Sequence, residues 1–281
     1  MTMQVNMADA KELVIDVIRA GLVPNITSSP GVGKSDLVRQ IAEEHNLKVI
    51  DFRLAQSDPT DLNGFPTLNA DRSRSDYAPP MTIPIEGDPI PEGYDGWLLF
   101  FDEMNAAPPS VQASSYKVML DRKVGENKIH HKVAMACAGN LMSDKAIVTR
   151  LSTAMQSRLI HLQVAVDAPA WQKWAIDHDI DHRVMSFIRF RPELLHKFEA
   201  DHNDLTFPCP RTWEFTSRII KPWKTIEPVK MPIIAGTISE GTAFEFKGYT
   251  DVFESLPSKA AILSSPESIA VPDEPSTRYA I

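Results

Sequence analysis

Over roughly the first 166 positions, apolar residues are spaced for helices and strands in alternation. In DAKELVIDVIRA (9–20), Leu13, Val14, Val17 and Ile18 recur on one helical face, and Gly21 follows as a stop. VPNITS (23–28) reads as a short β-branched strand, and KSDLVRQIAEEH (34–45) as an amphipathic helix. LKVIDFRLA (47–55) is a further strand, and in DPTDLNG (58–64) Asp58 is placed to cap a helix with Pro59 at its first position. GWLLFFDE (96–103), KVAMACAGN (132–140) and RLIHLQVAV (158–166) have the apolar character of strands buried in a parallel sheet. Between the first two, APPSVQASSYKVMLDRKVG (107–125) predicts a helix begun by Pro108 and Pro109, closed by Gly125, with Met119 and Leu120 in the core. Residues 65–93, rich in Pro, Asp, Arg and Ser, predict a surface insertion with one hairpin. The alternation predicts a parallel sheet with helices on both faces, whose ligand chemistry gathers at the C-terminal ends of its strands.

Past position 166 the pattern turns helical, through APAWQKWAIDH, DHRVMSFIRF, PRTWEFTSRIIKPW and VKMPIIAGTISEGTAFEFKGYT. A boundary there divides an α/β domain (1–166) from a helical one (167–256). The aperiodic Pro-, Ser- and Glu-rich stretch 257–281 is expected to be a mobile tail or an arm on a neighbour. Trp171, Trp174, Trp213 and Trp223 stand at helical spacings and are assigned to the helical core.

Composition narrows the class. Hydrophobic content of 43% and charged content of 23% are ordinary for a globular protein. With no basic leader ahead of an apolar run and no span-length apolar segment, the expectation is a cytoplasmic protein without a membrane partner. Cys137 and Cys209 lack metal-ligand spacing and are expected as free buried thiols; His130 and His131 are expected in a solvated loop or hairpin. A formal charge of −8 argues against a surface given over to nucleic acid, while leaving room for a local basic pore.

The candidate chemistry lies in SSPGVGKS (28–35). A loop of this kind, set between a strand and a helix, wraps a phosphate chain with the backbone of Ser29, Pro30, Gly31, Val32 and Gly33, each but the proline offering an N–H. Lys34 lies against the β- and γ-phosphates, and the Ser35 hydroxyl serves Mg²⁺. Ser28 stands where the G-x-x-x-x-G-K-[ST] pattern has its first glycine; Gly31 and Gly33 keep the turn. Asp102 and Glu103 close the run LLFF. Alternation along the strand sends Asp102 toward Ser35 and the metal, and Glu103 toward an attacking water. Asn140, at the end of the next apolar strand, is placed to hold that water or touch the γ-phosphate.

SSPGVGKS, LLFFDEMNAAPPSVQASSYKVMLDRKV, AMACAGN, LSTAMQSRL and PCPRTWEF follow one another in the order and approximate spacing of AAA+ ATPases. RLAQSDPTDLNGFP and DEMNAAPPSVQ resemble the MoxR-like branch in particular. The resemblance covers about residues 5–255. It implies a P-loop α/β/α domain followed by a small helical lid, with ATP and Mg²⁺ as cofactors. It makes Asn140 the sensor-1 residue, Arg158 the finger reaching the adjacent subunit's nucleotide, and Arg211 the sensor-2 arginine of the lid. Arg150 is the rival for the finger. For Arg211, a basic residue near a helix N-terminus is electrostatically disfavoured, which calls for a functional reason. The implied activity is ATP hydrolysis in a ring, a hexamer in expectation, coupled to chaperone-like remodelling of a partner, beside a protein with a von Willebrand factor A domain. The alternatives are a nucleic-acid motor or loader, for which Arg72, Arg74 and KIHHK (128–132) are the basic candidates, and a nucleotide-gated scaffold that scarcely turns over.

Overall fold

In the computed structural model, which describes residues 3–144, 149–201 and 204–254, the predicted alternation becomes a six-stranded sheet. The chain runs through β1 (Gln4–Val5), α1 (Met7–Arg19), β2 (Val23–Ser28), α2 (Lys34–Glu44), β3 (Leu47–Arg53), α3 (Pro59–Asn63) and the hairpin β4 (Phe65–Leu68) and β5 (Ser75–Ala78). It continues through β6 (Gly96–Asp102), α4 (Pro109–Tyr116), the small hairpin β7 (Lys123–Val124) and β8 (Asn127–Lys128), β9 (Val133–Asn140), α5 (Thr153–Gln156) and β10 (Leu159–Val164). The sheet order is β1-β10-β2-β9-β6-β3, and every pairing in it is parallel.

Continuous apolar runs are required here because both faces are covered. Trp97, Leu99 and Phe101 of β6 join Met135 and Cys137 of β9, Val111 of α4 and Met119 in one core. Their alternate neighbours Leu98, Phe100, Ala136 and Ala138 are equally buried and face the other way, where α2 lays down Leu37, Val38, Ile41 and Ala42. Burial pushes the Cys137 thiol well above its ordinary pKa.

Several local expectations are corrected. The segment 107–125 is not one helix: α4 gives way at Lys117–Asp121 to a wider π turn, and Arg122, in a left-handed conformation, starts the β7–β8 hairpin. Val14 and Ala10 carry the buried stripe of α1, whereas Leu13 is exposed. His130 is buried rather than solvated, edge-on to Trp97 and stacked on His131. The insertion does contain one hairpin, and Asp58 does cap α3, with Asp61 completing a reciprocal capping box.

A second compact unit begins at Val166. It holds α6 (Ala168–Asp177), α7 (His182–Phe190), α8 (Pro210–Ile220), α9 (Met231–Ile238) and α10 (Glu240–Glu254). The single helical stretch read at 229–250 is broken at Ser239, whose φ is +69°. Trp213, Phe187 and Phe246 form a buried aromatic cluster with centroids 5.3–5.5 Å apart. Trp171 is buried, and Trp174 and Trp223 pack half-buried against this core. The tail read at 257–281 lies outside the described residues. Among the described residues no helix is long and apolar enough to cross a membrane.

Candidate functional site

Parallel pairing brings the ends of β2, β9 and β6 to one edge of the sheet, with Ser28 directly beside Asn140. Beyond Ser28 the chain turns through Pro30 and Gly31 and enters α2 at Lys34. Gly31 (φ +75°) and Gly33 (φ +108°) both take left-handed conformations that favour glycine. Gly33 is the N-cap of α2 and offers no side-chain cap, so the first N–H groups of the helix are left for another acceptor. They lie at the positive end of the helix dipole, worth about half an elementary charge.

Lys34 is buried against this loop. Its ammonium donates to the Ser28 carbonyl (3.0 Å), Ser28 Oγ (3.1 Å), the Ser29 carbonyl (3.3 Å) and Asn140 Oδ1 (3.1 Å). Ser28 is fully buried and also donates its hydroxyl to the Ser29 carbonyl. It therefore has a part in the loop that the sequence comparison with a glycine at this position does not suggest. Next along α2, Ser35 Oγ donates to Asp102 Oδ2 at 2.8 Å. A hydroxyl and a carboxylate from different elements thus meet as hard oxygen donors. Among the described residues no cluster of three or more His, Cys, Asp or Glu side chains could hold a metal alone. The Ser35–Asp102 pair suits Mg²⁺, which keeps several ligands from water and phosphate.

Strand alternation does not separate Asp102 from Glu103, as read from the sequence. β6 ends at Asp102, and Glu103 adopts a left-handed conformation (φ +56°, ψ +34°), with its N–H donating to Asp102 Oδ1 at 2.8 Å. That turn, uncommon for a residue with a side chain, redirects the second acid out of the strand. Among the described residues none hydrogen-bonds the Glu103 carboxylate, which leaves it open to a ligand or water.

The remaining predicted residues fall elsewhere. Arg158 follows the C-cap of α5 rather than lying on the helix, and precedes Leu159, which pairs with Val23 at the start of β2. Five strand steps at about 3.3 Å each put Leu159 roughly 16 Å from the level of the loop end of β2, and Arg158 lies one residue farther, toward the opposite edge of the sheet. Arg150 is exposed next to Thr149, whose N–H reaches the Asn105 carbonyl at 2.5 Å, so it lies on the loop side. Arg211 is exposed in the first turn of α8, in the second unit. Sequence reasoning missed Asn105: it is buried, and its side chain hydrogen-bonds both main-chain groups of Asn140. The one available signal was a small residue, Gly139, before a polar strand end.

No family model matches the chain, and no curated protein does. Among solved structures it resembles a candidate ATPase from Cytophaga hutchinsonii at 14% identity and a TM-score of 0.41, over 80% of this chain and 61% of that one. It also resembles a RuvB variant from Thermotoga maritima (14% identity, TM-score 0.47, 94% of this chain and 77% of that one). A third is NtrX from Brucella abortus (15% identity, TM-score 0.48, 92% of this chain and 57% of that one). The chain thus spans about three fifths of the Cytophaga protein, and at such identities what it does must be read from its own site.

Proposed function

We propose that this chain is a Mg²⁺-dependent ATPase of the AAA+ type, working between subunits of a ring. The observation that carries the reading is the convergence of Lys34, Ser35, Asp102 and Asn140 within hydrogen-bond reach at one sheet edge, beneath an uncapped helix N-terminus. The loop N–H groups and Lys34 bind the phosphate chain, the lysine exchanging its carbonyl acceptors for phosphate oxygens. Ser35 and Asp102 would hold Mg²⁺, which would supply positive charge to offset that of the phosphate chain. Glu103, turned out of the strand, polarises the attacking water, and Asn140 fixes that water or the γ-phosphate. Arg158, remote from its own loop, is suited to act only on a neighbour's nucleotide, which favours a homo-oligomer; a hexamer is the form implied by the MoxR-like resemblance. Arg211 keeps the sensor-2 role that the resemblance implies. Remodelling of a partner complex, beside a von Willebrand factor A-domain protein, is the work this hydrolysis would drive.

The test pairs two substitutions. Lys34→Ala removes the loop's side-chain cation and is expected to abolish nucleotide binding, measured by calorimetry. Glu103→Gln keeps shape without the base, and is expected to bind ATP normally while phosphate release falls about 10²-fold or more. Equal loss of affinity in both variants would remove Glu103 from its role. Wild-type chains that bind ATP but show no turnover when assembled would instead leave a nucleotide-gated scaffold.

A further inference from the structure

At the end of β6 the sheet loses a strand before its neighbour does. The last register pair between β6 and β9 is Phe101 with Cys137, and the left-handed turn at Glu103 then carries the chain away. On that side, the Asn140 N–H and carbonyl would be left unpaired, a costly state for a part-buried strand end. The side chain of Asn105 takes the missing strand's place. Its Oδ1 accepts from the Asn140 N–H (3.1 Å), and its Nδ2 donates to the Asn140 carbonyl (2.7 Å). Asn105 is itself buried, its own carbonyl accepts from Thr149 N–H (2.5 Å), and its turn is closed by Ala106 N–H on the Glu103 carbonyl (2.9 Å). The fit leaves no room for a side chain at 139. A Cβ on Gly139 would lie 2.6 Å from Asn105 Oδ1, 3.0 Å from its Cγ and 3.3 Å from its Nδ2.

We infer that Asn105 is a positioning residue that clamps the turn bearing Glu103 to the strand end bearing Asn140. It thereby sets the separation of the carboxylate and the amide between which the attacking water must sit. The amide suits the task because it presents one acceptor and one donor in the geometry of a peptide group. The catalytic consequence rests on the ATPase reading above; the clamp itself does not.

The experiment measures nucleotide Kd, kcat, melting temperature and amide hydrogen exchange at Asn140 in wild type, Asn105→Ala, Gly139→Ala and the double variant. Asn105→Ala is expected to keep Kd within about threefold and lose kcat by about 10²-fold, the scale of a small misplacement of reacting groups, while Asn140 N–H exchange accelerates. Gly139→Ala should reproduce this loss, because its methyl group displaces the amide. The double variant should be no worse than Asn105→Ala alone, since the three atoms nearest that methyl group all belong to the Asn105 side chain. If Asn105→Ala does not fold, Asn105→Asp keeps the shape and the acceptor without the donor, and must show the same loss of kcat at retained Kd. Wild-type kcat and unchanged Asn140 exchange in Asn105→Ala, or an additive double variant, overturns the inference. Should the wild type neither bind nor hydrolyse nucleotide, the ATPase reading fails; the exchange data and the double variant's stability then decide the clamp alone.

Discussion

Lys34 has at least four acceptors within 3.3 Å and three N–H bonds to give. Its ammonium is therefore shared rather than fixed, and losing one acceptor leaves a full set. Ser28→Ala removes the hydroxyl acceptor together with the bond that hydroxyl gives to Ser29, so no polar group of Ser28's side chain is left stranded. The expected result is a stability change within about 1 kcal/mol by denaturant titration and nucleotide affinity equal to or slightly above wild type. A large loss of either would make the Ser28 hydroxyl an indispensable part of the loop. Much of the site was legible at this scale because Gly31, Gly33, Lys34 and Ser35 act through local chemistry at fixed spacing. Asn105 was not legible, since its role depends on where β6 stops relative to β9, and the stopping point depends on a left-handed residue that no pattern marks as such. Glu103 was found for its charge, but its direction was misread because alternation fails once the strand has ended.

Elements are held by caps as much as by faces, and the start of α7 shows how. Asp181 accepts from the Arg183 N–H as its N-cap, and its own N–H is taken by Ser217 Oγ at 2.8 Å. Arg183 closes a two-bonded pair on that carboxylate and extends to the Ile220 and Trp223 carbonyls, tying the start of α7 to the end of α8. Burial raises the Asp181 pKa, but the Arg183 bonds outweigh it and hold the carboxyl below the ordinary aspartate range. A depressed carboxyl contributes stability that is whole above its unfolded pKa of about 3.9 and is lost as pH falls through the lower folded value. Asp181→Ala takes the carboxylate away from a buried guanidinium and should cost about 3–5 kcal/mol. Its melting temperature should also depend less on pH below 4 than that of wild type, which a pH series of thermal melts would check. An unchanged melt would mean that water takes over the arginine at no cost. The helices joined here were readable from their apolar periods, and β2, β6 and β9 from unbroken apolar runs. The π turn at Lys117–Asp121 and the break at Ser239 were not, because helical spacing persists across both and only backbone geometry interrupts it.

At the scale of the molecule, each unit has its own apolar core, and every residue read as touching the phosphates from the sheet lies in the first. The residue proposed to complete the chemistry does not face that site. Arg158 precedes the strand position paired with Val23, at the far edge of the sheet from Ser28, and its guanidinium donates to the Ala154 carbonyl (3.3 Å), so the proposed role is one on a neighbour's nucleotide. A finger in trans contributes roughly 10³–10⁵ in rate where such residues act, which sets the size of the effect to be sought. Arg158→Ala should bind ATP nearly as wild type and lose most turnover, and wild-type specific activity should rise with protein concentration as subunits meet. Mixed one to one with Lys34→Ala, it should regain activity, because about a quarter of junctions in a head-to-tail ring then join an intact loop to an intact finger. Arg150, next to Thr149, whose N–H is tied to Asn105 on the loop side of its own chain, should give a milder loss that does not complement. A dead but complementable Arg150→Ala beside an active Arg158→Ala would exchange the two roles. Full turnover from a monomer, or from both variants once assembled, would end the trans mechanism and leave hydrolysis to the residues of a single chain.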